Sequence, residues 1–265
     1  MSTVKIKLEK INKVFKTRRK TIVALSDIDL EVCESEFVAI VGPSGCGKST
    51  ILRIINDIIK QTSGNVYIDG KKLGKNVTKD LVRKMGFIFQ NPNLLPWLTV
   101  KGNVELPLRI FKLYKFKESR NQVVKLIEMM GLKEYYNSYP SELSGGMTQR
   151  VGVIRAMVHN PEILLMDEPF GGLDETLREL LDIQLLEIWE KYKKTIIFIT
   201  HNIVEAVLLA SKVYVMNTNP GRIVEKISIN FPYPRKLDLI ISPKFIEYTN
   251  EIIRLIGAID LKEIK

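Results

Sequence analysis

A glycine-rich segment followed by Lys48 and Ser49 has the residue types needed to hold a polyphosphate. Its glycines allow the backbone to curl so that successive N–H groups form a concave anion site. Apolar residues 37–41 predict a buried strand before the segment, and apolar residues from Ile51 onward, at helical spacing, predict a helix after it. This context is typical of a phosphate-binding loop. The predicted loop consists of Gly42, Pro43, Ser44, Gly45, Cys46, Gly47, Lys48, Ser49 and Thr50.

The residues of this loop predict a nucleoside triphosphate as ligand, although a chance glycine turn is the alternative. We expect Lys48 to reach the β- and γ-phosphates and the Ser49 hydroxyl to bind Mg²⁺. The positive end of the helix dipole favours the same anion. The loop alone does not say how the energy of the nucleotide is used.

Two carboxylates follow a second apolar run, residues 163–166, which also predicts a buried strand. Asp167 and Glu168 would then lie at the carboxyl end of a parallel strand, where open α/β sheets bind ligands. We expect Asp167 to bind Mg²⁺, directly or through water, and Glu168 to polarise the attacking water.

Two further polar residues end predicted core strands. Gln90 follows a predicted strand and either reports on the metal and the water or is an ordinary residue at a strand end. His201 follows a strand predicted at residues 195–200, and we expect it to contact phosphate rather than to be purely structural.

A second helix start suited to an anion occurs at residues 143–147. Ser144 is a suitable N-cap, and an ordinary cap would need only this serine. Gly145 and Gly146 go beyond that need, because they also free the backbone at the start of the helix.

Phe15 precedes the basic run 16–20 and either stacks on a nucleotide base or packs in a small sheet.

The formal net charge of +10 permits nucleic-acid binding, but the lysines are scattered, so we expect a solvated basic surface and no nucleic-acid partner. Cys33 and Cys46 predict no disulfide framework. The N-terminus lacks the apolar core of a secretory signal and no run is long enough to span a bilayer, so we expect a cytoplasmic protein.

The order of the segments predicts an α/β fold. Apolar residues alternate with polar ones from Val4 onward, which predicts an antiparallel strand. Residues 22–32 predict a second extended stretch with a turn at Ser26 and Asp27. The helix after the phosphate loop is predicted to reach Ile59. Strand signals fade between residues 98 and 150, where we expect an inserted helical subdomain.

With these segments in view, the chain resembles the ATPase subunit of ATP-binding cassette (ABC) transporters over nearly all of its length. The phosphate loop resembles Walker A, Gln90 the Q-loop, residues 143–147 the signature sequence and residues 163–168 Walker B. Residues 172–174 resemble the D-loop and His201 the switch histidine. Phe15 lies where the family has its adenine-stacking aromatic residue, which favours the stacking interpretation.

The resemblance implies a P-loop NTPase fold: a RecA-like core with an antiparallel β subdomain and an inserted helical subdomain. The expected divisions are residues 1–94 and 155–220 for the core with the β subdomain, 95–154 for the helical subdomain and 221–265 for a C-terminal extension.

The resemblance also implies a head-to-tail dimer, either a homodimer or a pair with a second ABC ATPase, that hydrolyses MgATP to drive a membrane permease. Ser144, Gly145, Gly146 and Met147 would then complete the partner's nucleotide site, and Gln90 would join Ser49 and Asp167 at Mg²⁺. Glu168, His201, Lys48 and Gln90 would be the catalytic set. Such a subunit would bind peripherally at the cytoplasmic face of the membrane.

Residues 94–100, 220–223 and 231–235 resemble importers of nitrate, sulfonates and taurine, which implies an extracytoplasmic solute-binding protein as an indirect partner. Leu94, Leu95 and Trp97 are either a docking groove for the permease or subdomain core. Exporters, lipid-extraction systems and soluble non-transport ATPases of the family remain alternatives. The family usually has Gln where this chain has Met147 and Asp where it has Asn202.

Overall fold

The structure is a computed structural model that describes residues 3–17, 20–74 and 78–263. Within it the chain forms two compact units. The first contains residues 1–77 and 179–265, and the second contains residues 78–178. Arg18 and Arg19 of the basic run lie outside the described residues.

The strands alternate with helices along most of the chain. The strands are β1 Val4–Lys16, β2 Thr21–Cys33, β3 Phe37–Val41, β4 Ser63–Ile68, β5 Lys71–Lys72, β6 Met85–Ile88, β7 Ile163–Asp167, β8 Thr195–Ile199, β9 Lys212–Asn217 and β10 Arg222–Ser228. The α-helices are α1 Lys48–Ile55, α2 Lys79–Arg83, α3 Val100–Ile110, α4 Lys117–Met129, α5 Gly145–Met157, α6 Glu175–Tyr192, α7 Ile203–Leu209 and α8 Pro243–Glu263. Short 3₁₀ turns occur at Lys133–Tyr135, Pro140–Glu142 and Leu237–Ile241.

The first unit contains an antiparallel sheet of order β2-β1-β4-β5. The alternation from Val4 correctly predicts β1. The turn predicted at Ser26 and Asp27 is wrong, because β2 continues through both residues. Asp27 instead has a φ of 50° where the register to β1 shifts between Ile11 and Lys13, so the polar pair marks a bulge in one long strand.

The same unit contains parallel strands, with β3 paired to both β8 and β9 and with β10 antiparallel to β9. Every residue of β3 and β8 is buried. Phe37 contacts Trp189 and Phe198, with ring centroids 6.1 and 6.0 Å apart. Continuous apolar strands of this kind are typical of a parallel sheet that is covered on both faces.

Helix α1 is shorter than predicted. It ends at Ile55, and Asp57 has a φ of 58°. The backbone N–H groups of Ile58 and Ile59 both donate to the Arg53 carbonyl, which closes the helix with a turn. Ile58 and Ile59 continue the helical spacing of apolar residues, but they lie in the turn that follows the helix. The predicted helix end at Ile59 is therefore too late.

The second unit pairs β6 with β7 in parallel and contains α2 to α5. It is wider than the helical segment predicted at 95–154. Helix α4 ends at Met129, two residues before Gly131, which has a φ of 66°, and this agrees with the predicted stop. Among the described residues, no helix is both long and apolar enough to cross a membrane.

Candidate functional site: a nucleotide-binding cassette

The phosphate loop joins β3 to α1 in the first unit, as predicted. Gly47 is the N-cap of α1 and has a φ of 99°, and a side chain there would meet Leu25 Cδ2 at 2.6 Å. Gly42 has a φ of 155°, and a Cβ on it would lie 2.5 Å from the Met216 carbonyl oxygen. Both positions therefore require glycine, for backbone conformation and for space.

Lys48 lies over its own loop. Its Nζ donates to the carbonyl oxygens of Gly42 at 2.7 Å and Pro43 at 2.9 Å, and the residue is only 6% exposed. Cys46 is buried beneath it, with Sγ 3.8 Å from Nζ, and burial raises the pKa of the Cys46 thiol. The ammonium at the start of α1 is therefore bound to carbonyl oxygens of the loop that precedes it.

Gly221 supports the phosphate loop from behind, a role that sequence reasoning missed. A Cβ on Gly221 would lie 1.9 Å from the Cys46 carbonyl oxygen. Two backbone hydrogen bonds fix Gly221 on β2, from its N–H to Ala24 and from Ser26 to its carbonyl. In the sequence, residues 220–223 were used only for their resemblance to importers, which did not predict this contact.

Gln90 and Glu168 meet within the second unit. Strand β7 is buried throughout, and Asp167 at its carboxyl end is 5% exposed. Gln90 Nε2 donates to Glu168 Oε2 at 3.2 Å. Glu168 has a φ of 46°, a left-handed conformation that is uncommon for a residue other than glycine. A glutamine at a strand end is therefore joined to the carboxylate predicted to activate water.

Ser144 caps α5, as predicted, and its Oγ accepts a hydrogen bond from the Met147 N–H at 3.3 Å. Gly145 has open space where a side chain would project, whereas a Cβ on Gly146 would lie 2.4 Å from Leu177 Cδ2. The two glycines therefore serve different purposes. Gly145 leaves the start of α5 accessible, and Gly146 allows close packing against Leu177. The Met147 side chain is buried, which suits an apolar residue.

Gln149 and Arg155 attach α5 to the chain after Gln90, and sequence reasoning missed both. Gln149 Nε2 donates to the Gln90 carbonyl oxygen at 2.8 Å. Arg155 donates to the carbonyl oxygens of Pro92 and Asn93. Burial lowers the pKa of the Arg155 guanidinium from its ordinary value. Regular spacing on a helix predicted neither contact, because both partners are backbone atoms of a loop.

His201 and Phe15 lie in the first unit. His201 is exposed in the connection between β8 and α7, at the predicted strand end. Phe15 is 39% exposed on β1, and the Lys13 ammonium lies 4.8 Å from its ring centre. An exposed aromatic ring of this kind is available for stacking.

A parallel α/β fold with a phosphate loop at one strand end and a carboxylate pair at another defines a P-loop nucleoside triphosphatase. The sequence pattern that defines the ABC transporter family matches residues 25–171 of this chain. The chain belongs to this family and is an ATP-hydrolysing subunit of the transporter class.

Curated relatives and a solved structure agree with this assignment. The aliphatic sulfonates import ATP-binding protein of Bacillus cereus is 40% identical over 87% of this chain and 88% of its own length. The nitrate import ATP-binding protein of Synechocystis is 37% identical over 97% of each chain. A dimeric ATP-binding cassette bound to ADP and phosphate in a post-hydrolysis state is similar with a TM-score of 0.77. That cassette is 36% identical, and the match covers 86% of this chain and 100% of that one.

Proposed function

We propose that the chain powers an importer of nitrate, a sulfonate, taurine or a related small molecule by hydrolysing MgATP between two cassettes. The import proteins named above, similar over most of the chain, favour this direction of transport. The hydrogen bond from Gln90 to Glu168 carries the hydrolytic part of the proposal, because it joins a polar sensor to the predicted base. The cargo itself would be recognised by other subunits.

In this proposal each ATP lies between the phosphate loop of one copy and the signature residues of its partner. Lys48 and the loop amides bind phosphate, and Phe15 stacks on the base. Ser144, Gly145 and Gly146 belong to the opposite site. The open space at Gly145 supports that assignment, because a ligand could approach the start of α5 there. Met147 would contribute through its backbone, since its side chain is buried.

Glu168 orients or deprotonates the attacking water, and His201 contacts the γ-phosphate. The side-chain amide of Gln90 in the same chain holds the Glu168 carboxylate by a hydrogen bond. This bond limits the orientations in which the carboxylate can accept a proton. Closure on ATP and opening after hydrolysis would follow from the loss of γ-phosphate contacts.

The residues predicted for Mg²⁺ fit that ion by donor type. Ser49 supplies a hydroxyl oxygen, Gln90 an amide oxygen and Asp167 a carboxylate at the end of a buried strand. Mg²⁺ prefers such oxygen ligands and commonly combines them with substrate phosphates. When bound, the ion would neutralise charge on the β- and γ-phosphates.

We place the subunit at the cytoplasmic face of the membrane, docked on a permease that receives cargo from a binding protein. Trp97 supports a docking role because it is 69% exposed, far more than a core tryptophan. Leu94 and Leu95 are half-buried, so they would form the floor of such a surface.

The importer class is tested by reconstitution with a permease and a solute-binding protein encoded beside this gene. We expect ATP turnover to rise when the cargo-loaded binding protein is added and to stay at its basal rate with the empty one. Neighbouring genes that encode only an exporter-type membrane subunit would contradict the proposal and favour the exporter alternative.

A further inference from the structure

Helix α7 begins two residues after His201, and its amino end is capped by Asn202. Asn202 Oδ1 accepts hydrogen bonds from the N–H groups of Val204 at 2.9 Å and Glu205 at 3.3 Å. Thr200, on the other side of His201, donates its hydroxyl to the Glu205 carboxylate. The backbone direction at His201 therefore depends on where α7 lies.

The carboxyl end of α7 is held by the C-terminal extension. A helix leaves its last carbonyl groups without donors from its own backbone. Here Tyr233 Oη donates to the Leu209 carbonyl at 2.9 Å. Arg235 Nη1 lies 3.1, 3.0 and 2.9 Å from the carbonyl oxygens of Val207, Leu208 and Ala210. The side chains of Tyr233 and Arg235 thus bind four carbonyl groups at the carboxyl end of α7.

These two side chains are themselves fixed. The Arg235 guanidinium lies 4.1 Å from the centre of the Tyr233 ring, and Arg235 is only 4% exposed. The Tyr233 ring is 4.4 Å from Trp189 of α6. A cation at this end also complements the helix dipole. The contact is therefore a buried cap rather than a surface interaction.

A helix of seven residues is marginal without tertiary support, so its anchors decide its position. We propose that Tyr233 and Arg235 are positioning residues for His201, which they place for its contact with the γ-phosphate by holding the carboxyl end of α7. This inference rests on the role proposed above for His201. It assigns a task to two residues of the segment 231–235, which the hydrolytic machinery does not otherwise use.

The chain contains two histidines, so ¹H–¹³C correlation spectra of ¹³C-histidine-labelled full-length protein report on His201 directly. We expect Tyr233→Phe and Arg235→Gln to shift or broaden the His201 ring signal. The internal reference is His159, which lies in the second unit with Nε2 3.2 Å from the Met85 carbonyl oxygen and should not change. Arg254→Gln, the same substitution at an exposed arginine of α8, should leave both signals in place.

The kinetic test is ATP turnover. Arg235→Gln should lower kcat by roughly ten- to a hundredfold while KM changes much less, because misplacing a reacting group by about 1 Å has effects of this size. In a His201→Ala background, the same substitution should produce no further loss. An equal loss in both backgrounds, or an unchanged His201 signal in folded Tyr233→Phe, would overturn the inference. Tyr233→Phe removes only a hydroxyl, so it provides the test if Arg235→Gln does not fold.

The two proposals fail in different ways. Full turnover of His201→Ala would reject the catalytic role of His201 and, with it, the kinetic consequence. The spectra would still show whether residues 233 and 235 control its position.

Discussion

Gln90 donates a hydrogen bond to Glu168, from Nε2 to Oε2 over 3.2 Å. The two residues are 78 positions apart in sequence, and each follows a strand of the parallel pair β6 and β7. The carboxyl ends of parallel neighbours lie together, so an amide from one strand end reaches the carboxylate of the next. This hydrogen bond makes the orientation of the proposed base depend on Gln90, whose own carbonyl oxygen accepts a hydrogen bond from Gln149.

Replacing Glu168 by Gln should abolish turnover while ATP binding is retained. A carboxamide cannot accept the proton of the attacking water, and general-base catalysis typically contributes about 10²–10⁴-fold. The measurement is phosphate release, together with size-exclusion chromatography in ATP, where a trapped dimer is expected. Glu187→Gln, an exposed site on α6, is the matched control. Undiminished phosphate release from Glu168→Gln would reject its role as base.

Replacing Gln149 by Leu should slow turnover with little change in thermal stability. The substitution removes the 2.8 Å hydrogen bond to the Gln90 carbonyl, but it also removes a buried Oε1 that has no partner among the described residues. These contributions to the free energy of unfolding have opposite signs and similar size, about 1 kcal/mol each. Calorimetry and turnover are measured on the same sample. A large fall in Tm with unchanged turnover would show that the contact is only structural.

Replacing Gly221 by Ala should weaken ATP binding. The added Cβ would lie 1.9 Å from the Cys46 carbonyl oxygen, so the phosphate loop or the turn must move. We expect the dissociation constant for ATP to rise by roughly tenfold, about 1.4 kcal/mol. Gly74→Ala is the control, because a Cβ there meets nothing within 4 Å. Unchanged affinity in Gly221→Ala would mean that the loop tolerates displacement from behind.

Tyr214 should make stability depend on alkaline pH. Burial raises the pKa of Tyr214 from 10.0 to about 12. Its hydroxyl donates to the Glu31 carbonyl at 2.9 Å. A group whose folded pKa exceeds its unfolded value stabilises the fold fully below the unfolded pKa and loses that contribution as pH rises to the folded one.

The wild type should therefore be more stable than Tyr214→Phe by a constant amount below the ordinary pKa of 10.0, where the phenol is neutral in both states. Above it, the difference in the free energy of unfolding should fall by about 1.4 kcal/mol per pH unit until the folded pKa is reached. Urea titrations of both proteins across this range measure the difference. A pH-independent difference would contradict the assignment.

Replacing Trp97 by Asp should uncouple the subunit from its permease and leave ATP binding intact. The indole is exposed, so a charge there costs little folding energy but prevents burial in an apolar interface. Co-purification with the permease is the measurement. Ile241→Asp, at an 81% exposed apolar site of the extension, tests whether any new surface charge has this effect. Unchanged recovery of the permease with Trp97→Asp would count against the docking surface.

By itself, the sequence determined the chemistry of this protein. The phosphate loop, the carboxylates at the end of β7, the serine cap of α5 and the order of strands and helices all follow from local patterns of residue type. Such patterns specify which groups are present and which strand or helix end carries them. Two predictions were wrong because the same local pattern is compatible with more than one structure. Ser26 and Asp27 mark a bulge rather than a turn, and Ile58 and Ile59 lie beyond α1.

Only the tertiary structure decided which residues touch. Gly221 behind the loop, Gln149 on the Gln90 carbonyl and Arg235 on the end of α7 are all contacts to backbone atoms distant in sequence. A backbone carbonyl has no residue type, so sequence patterns carry no signal for such a partner. These contacts arise once the strands and helices have packed, because packing then brings carbonyl groups within reach of these side chains.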